Sequence, residues 1–157
     1  LWEPSVTRSP DGKQLLMLIR EQKKRLNSLF SVSDDEGETW SKPRQLPLAL
    51  SGDRHLARYA PDGRLVILFR PTHPTGLQDL NNSHFTAWVG RYEDIIGGRE
   101  GQYLIKLLHS YAGRNHTYPG LELLPDGTFV GTTYIKYRPG PELHSVVCVR
   151  FRLDDIE

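Results

Sequence analysis

The chain has 157 residues, 38% hydrophobic and 25% charged, which is the composition of one soluble globular domain with a real core. A formal net charge of +1 offers no global field for nucleic acid or a membrane surface, and no apolar run approaches the ~20 residues that would allow membrane insertion. The single cysteine, Cys148, excludes a disulfide within the chain and with it the small disulfide-stapled class.

The chain opens on Leu1. Leu1 to Val6 has neither a basic segment nor a long apolar one, and reads as a strand begun midway, as expected of a fragment or a processed piece. From there it is a run of strand pairs. Pro10-Asp11-Gly12, Pro61-Asp62-Gly63 and Pro125-Asp126-Gly127 each stand between two β-type runs. Asp-Gly between apolar runs predicts a hairpin, because glycine takes a positive φ cheaply and the preceding proline presets the turn. Three such hairpins with matching flanks form a repeat of roughly 50 residues, the period of propellers and arrays.

Each unit continues into further strand-like runs: Leu26 to Val32, then His84 to Arg91 with Tyr103 to Leu108, then His144 to Leu153. No segment carries a helical period over ten residues, and Glu21 to Leu26 reads as a loop. The predicted fold is all-β: a propeller of which this chain supplies about three blades of four-stranded antiparallel sheet, at 1–50, 51–110 and 111–157. The last unit is one strand short. Cys148, within Ser145 to Val149, and Trp88 are both expected to be buried in strands.

The repeat also serves as a ruler. Seven residues before each turn proline stand Glu3, Arg54 and Tyr118; at the far end of each following strand stand Arg20, Arg70 and Tyr134. One extra residue before Arg20 suggests a bulge. A strand of seven residues spans ~23 Å, so all six side chains are expected at the rim opposite the turns. Three arginines present planar forks suited to a carboxylate. A tyrosine is a poor nucleophile at its free pKa of ~10, so it needs a base beside it, and Glu3 is the candidate.

Ser33, Asp35, Gly37, Thr39 and Trp40 spell S-x-D-x-G-x-T-W, which resembles the Asp-box repeat of sialidases and related six-bladed propellers. Glu3-Pro4-Ser5-Val6 with Leu15 to Arg20, and Tyr118-Pro119-Gly120 leading to Asp126-Gly127, are similar to the strand ends that carry the sialidase Glu, Arg and Tyr. The resemblance implies that the chain is the C-terminal part of a sialidase-like exo-glycosidase acting on sialic acid or a related acidic sugar with retention. Tyr118 would be the nucleophile, Glu3 its base, and Arg20 one of three arginines on the substrate carboxylate. The family's first arginine and general acid would lie outside this chain, and its third arginine has no counterpart near Leu80-Asn81-Asn82-Ser83, so Arg54 and Arg70 are the stand-ins. Secretion or a periplasmic location follows from the resemblance alone.

His55, Arg114, His116 and Tyr134 are candidate substrate contacts, and His73 and His84 lie toward the same end. No spacing of metal ligands is evident, and neither metal nor other cofactor is expected. The expected partner is a glycan or glycoconjugate with an acidic sugar. The alternative is a non-catalytic Asp-box propeller that binds acidic glycans or proteins. Oligomeric state is not legible.

Overall fold

A computed structural model describes residues 2–23, 25–72 and 84–156. His73 and the Leu80–Ser83 stretch lie outside these described residues. The chain folds into three antiparallel sheets. The first contains β1 (Trp2–Arg8), β2 (Leu15–Arg20), β3 (Leu29–Ser33) and β4 (Arg44–Gln45) in that order. The second contains β5 (Gly52–Tyr59), β6 (Leu65–Pro71), β7 (His84–Gly90) and β8 (Tyr103–His109), and the third β9 (Gly120–Leu123), β10 (Phe129–Ile135) and β11 (Ser145–Phe151). The third sheet has three strands, as expected.

Each Pro-Asp-Gly segment is the turn of the first hairpin in its sheet. Gly12, Gly63 and Gly127 adopt φ of 77°, 83° and 83°. Asp11, Asp62 and Asp126 accept the backbone N–H two residues on, from Lys13, Arg64 and Thr128, at 3.1, 2.9 and 3.0 Å. The first turn is one residue longer: Ser9 N–H donates to Gln14 O, where Ala60 N–H meets Arg64 O and Leu124 N–H meets Thr128 O. The extra residue counted before Arg20 is absorbed here, not in a bulge on β2. Two bulges lie instead on the inner strands β1 and β5. On β1, Glu3-Pro4 faces the single residue Ile19, and on β5, Arg54-His55 faces Phe69.

The second sheet is the middle layer. Every residue of β6 is buried, which its unbroken apolar run Leu65 to Phe69 requires of a strand covered on both faces. Leu65, Ile67, Phe69 and Trp88 pack on Leu16, Leu18 and Phe30 of the first sheet. The alternate residues Val66, Leu68, Phe85 and Ala87 pack on Leu121, Phe129 and Ile135 of the third. The inner strand β5 lies beside β1 on one side and β9 on the other. The result is a partial β-propeller-like domain. Among the described residues no helix is long and apolar enough to cross a membrane.

One further feature was not expected from the sequence and another departs from it. A six-residue helix, α1 (Tyr92–Gly97), joins β7 to β8; under two turns long, it leaves no readable period. It starts where Arg91 N–H donates to Asp94 Oδ2 at 2.7 Å and ends at Gly98 with φ 70°. Cys148 is exposed, not buried: it pairs with Thr132 on the face of the third sheet turned away from the middle layer. Trp88 is fully buried as expected, and its Nε1–H donates to Glu100 O at 2.7 Å.

The Ser33–Trp40 turn closes on itself. Thr39 gives Asp35 both its backbone N–H, at 2.8 Å, and its hydroxyl, at 2.5 Å, while Ser33 donates at 2.7 Å. These donors hold the Asp35 carboxyl down at about 2, the Thr39 hydroxyl contributing most. Trp40 Nε1–H reaches Gly37 O at 3.0 Å.

Candidate functional site

The rim opposite the turns gathers the six ruler residues into one connected network. The geometry begins at the bulges. Glu3 and Arg54 occupy equivalent first-bulge positions and both adopt a positive φ, 48° and 62°, a strained conformation for side-chain-bearing residues. Ahead of the third inner strand β9 the positive φ, 74°, belongs to Thr117, one residue before Tyr118. The bulges turn the Glu3 and Arg54 side chains toward the same space. The backbone is close-packed here: a Cβ on Gly52 would lie 2.3 Å from the Arg70 carbonyl oxygen.

Glu3 is held by two arginines, Arg20 Nη1 at 2.9 Å from Oε2 and Arg54 Nε at 3.5 Å from Oε1. Arg54 also donates from Nη1 to His116 O at 2.9 Å, to Thr117 O and to the Tyr134 hydroxyl at 3.3 Å. Its guanidinium carbon lies over the Tyr118 ring, a cation–π contact. Tyr118 in turn stacks near Tyr134, ring centres 6.2 Å apart. Glu3, Pro4, Arg54, Tyr118 and Pro119 line a cleft of about 310 Å³.

Asp53, which counting along the repeat passed over, lies at the centre. Its side chain is 1% exposed. Arg70 Nη2 donates to Oδ2 at 2.7 Å, Arg20 Nε lies 3.1 Å from Oδ1 without hydrogen-bond alignment, and Arg114 Nη2 lies 3.8 Å from Oδ2. Three guanidinium groups thus converge on one buried carboxylate. The available signal was register: Asp53, not Arg54, pairs directly with Arg70 across the β5–β6 ladder.

The arginines are partly spent. Arg70 Nη1 donates to Arg114 O at 2.6 Å and to His116 O at 3.3 Å. Arg70 Nε and Arg114 Nη2 are buried and make no hydrogen bond among the described residues, although Arg114 Nη2 keeps its ion pair with Asp53. Burial, with the nearby Arg20 charge, pulls the Arg114 guanidinium below its ordinary pKa. Four guanidinium groups against the carboxylates of Glu3 and Asp53 leave a local excess of positive charge.

The remaining candidates divide. Tyr134 and Arg114 join the network, and Tyr118 is 61% exposed at its edge. The Glu3–Tyr118 hydrogen bond expected from the sequence does not form, since both Glu3 oxygens face arginines. His55 touches the cleft wall, but its ring is stacked on Phe69 and Nε2 meets Leu50 O at 2.9 Å; burial lowers its pKa, so it stays neutral and donates there. His116 is fully buried and offers its carbonyl rather than its ring to the arginines. Both histidines are therefore placed as supports, not as exposed sugar contacts. Asn115, in the polar loop Tyr111 to Asn115 that leads toward Tyr118, accepts from Tyr134 at 3.4 Å, and His144, which the sequence did not single out for the site, meets Asn115 O at 2.8 Å.

A larger cavity, of about 760 Å³, lies at the turn end, where Asp62, Arg64, Arg91 and Asp94 meet. Its charges are engaged locally: Arg64 with Asp62 at 2.6 Å, and Asp94 with Arg99 at 2.7 Å.

No family model and no curated protein matches this chain. Solved structures do. A protein of unknown function from Dyadobacter fermentans DSM 18053 superposes with a TM-score of 0.72 at 18% identity, covering 94% of this chain and 36% of that one. The endo-arabinase from Bacteroides thetaiotaomicron VPI-5482 superposes with a TM-score of 0.63 at 13% identity, covering 98% of this chain and 56% of that one. The chain thus spans well under two thirds of either neighbour, and at these identities the likeness is one of fold: an all-β, partial β-propeller-like domain.

Proposed function

We propose that this chain is part of a six-bladed propeller glycosidase that hydrolyses a terminal acidic sugar, with sialic acid the substrate class to test first. Units 1–50, 51–110 and 111–157 would be three of its blades. The observation that carries the reading is the surplus of guanidinium groups around Asp53 and Glu3, four arginines against two carboxylates. A planar carboxylate matches that donor set. An arriving anion would also offset the desolvation and like-charge repulsion that Arg114 suffers. The endo-arabinase neighbour shows that a related fold serves carbohydrate chemistry elsewhere.

In the catalytic step the Tyr118 oxygen bonds to the anomeric carbon as the glycosidic C–O bond breaks. The phenolic proton passes to Glu3, and a general acid outside these residues protonates the departing oxygen. Water then cleaves the tyrosyl–sugar bond, restoring the phenol with net retention. A neutral nucleophile avoids the repulsion that a carboxylate would meet from an acidic sugar, and tyrosine nucleophiles are the known exception to the two-carboxylate rule. Glu3 becomes free for this role when the substrate carboxylate replaces it on Arg20 and Arg54.

A second reading, a non-catalytic binder of acidic glycans or proteins, is favoured by the engagement of both Glu3 oxygens with arginines. One experiment separates the two: the full-length protein is assayed for hydrolysis of an aryl α-sialoside and for binding of free sialic acid against a neutral N-acetylhexosamine. Turnover supports the glycosidase, and selective binding without turnover supports the binder. Absence of both ends the acidic-sugar reading.

A further inference from the structure

We propose that His84 and His109 form a binding site for a divalent first-row transition metal ion at the outer corner of the same rim. The two residues are the first of β7 and the last of β8 and pair directly in register, so their side chains share one face of the sheet. Their Nδ1 atoms stand 3.3 Å apart. Two imidazole ligands at about 2.0–2.1 Å on a tetrahedral ion are about 3.3–3.4 Å apart, so the backbone register already sets the nitrogen spacing that such an ion needs. Both rings are half-buried, open enough for an ion to enter yet restrained. Tyr111 packs edge-on against His109, ring centres 4.7 Å apart at 89°, and limits its rotation.

The two nitrogens now share one proton as a hydrogen bond. On binding, the donor ring moves its proton from Nδ1 to Nε2 by exchange with water, and both Nδ1 lone pairs face the ion. Among the described residues no third His, Cys, Asp or Glu completes a ligand cluster, and water would fill whatever positions the protein leaves open. Imidazole nitrogen with water selects zinc, copper or nickel over magnesium and calcium. The site adjoins the chain segment that runs from Tyr111 to Arg114, whose guanidinium reaches toward Asp53, so the ion would pin the base of that segment.

The test is calorimetric titration of chelator-treated, full-length protein with zinc chloride and separately with copper sulfate. It compares the wild type with His84→Ala, His109→Ala, His109→Gln and His144→Ala. The expected result is a site in the wild type and His144→Ala that weakens at least ~10-fold in each His84 or His109 variant. His109→Gln retains a hydrogen-bonding group beside His84, so it separates loss of the metal ligand from loss of the fold, which circular dichroism checks. In the copper-loaded wild type, electron paramagnetic resonance should show two imidazole nitrogens at this site, and one in His109→Gln. Unchanged binding in the His84 and His109 variants, no wild-type binding at millimolar zinc, or a copper spectrum insensitive to His109→Gln would overturn the proposal.

Discussion

The guanidinium carbon of Arg54 lies 3.7 Å above the centre of the Tyr118 ring. The same guanidinium faces Glu3 through Nε, so it stands between the phenol and the carboxylate that the sequence suggested would touch. Arg54 is therefore the joint of the rim: it links the bulge of β5, the carboxylate of β1 and the backbone entering β9.

Replacing Arg54 by lysine should show how far that joint depends on a planar fork. A lysine ammonium cannot reach the His116 and Thr117 carbonyls, the Tyr134 hydroxyl and the Tyr118 face together. Stability should fall by about 2 kcal/mol, read from urea unfolding, and sialic acid binding should weaken. Unchanged stability would mean that these contacts are exchanged for water at no cost.

Asp53→Asn should be among the most damaging single substitutions. It removes the buried charge on which Arg20, Arg70 and Arg114 converge and leaves those cations facing one another. Breaking a buried pair from one side costs about 3–5 kcal/mol. A midpoint shift corresponding to less than ~1 kcal/mol would show that the arginines find other partners.

Tyr118→Phe and Glu3→Gln address chemistry with different expectations for folding. The Tyr118 side chain is exposed and its hydroxyl makes no hydrogen bond among the described residues, so the Phe variant should unfold within ~0.5 kcal/mol of wild type. In the full-length protein each substitution should lower kcat on an aryl sialoside by ~10² or more. Wild-type turnover in both would remove the nucleophile and base assignments.

The Ser33–Trp40 turn predicts an acid-side effect. The folded-state pKa of Asp35, about 2, lies below its unfolded value of ~3.9, so the carboxylate contributes stability above the unfolded value. That contribution is lost as pH falls toward the folded value. Asp35→Asn should therefore melt lower than wild type at pH 7, and the gap should close by pH ~2. Parallel melting curves across that range would contradict the linkage.

Glu100 offers a test of how the first two sheets are joined. Its carboxylate accepts from Leu48 N–H at 3.2 Å and Ala49 N–H at 2.7 Å, capping the short helical turn (Leu48–Leu50) that leads from the first sheet to the second. Glu100→Ala should cost about 1 kcal/mol, as loss of a helix cap does, with faster amide exchange at Leu48 and Ala49. Unaltered exchange there would show that the cap contributes nothing.

The hairpins were legible from sequence because their causes are local. A glycine that takes positive φ, a proline before it and an aspartate that bonds two residues on suffice to place each Pro-Asp-Gly turn. Alternation and unbroken apolar runs placed most strands, and counting along the repeat was enough to bring Glu3, Arg20, Arg54, Arg70, Tyr118 and Tyr134 to one rim. Partner choice within that rim was decided only in three dimensions. Asp53 draws arginines from β2, β6 and the segment before β9, and Arg54 displaces Tyr118 from Glu3, because bulges re-aim side chains and buried charges take the best oppositely charged groups within a few ångströms. Exposure was tertiary too. Cys148 alternates as a buried strand residue would, yet stays open because burial depends on which layer covers a face, and no local pattern states that.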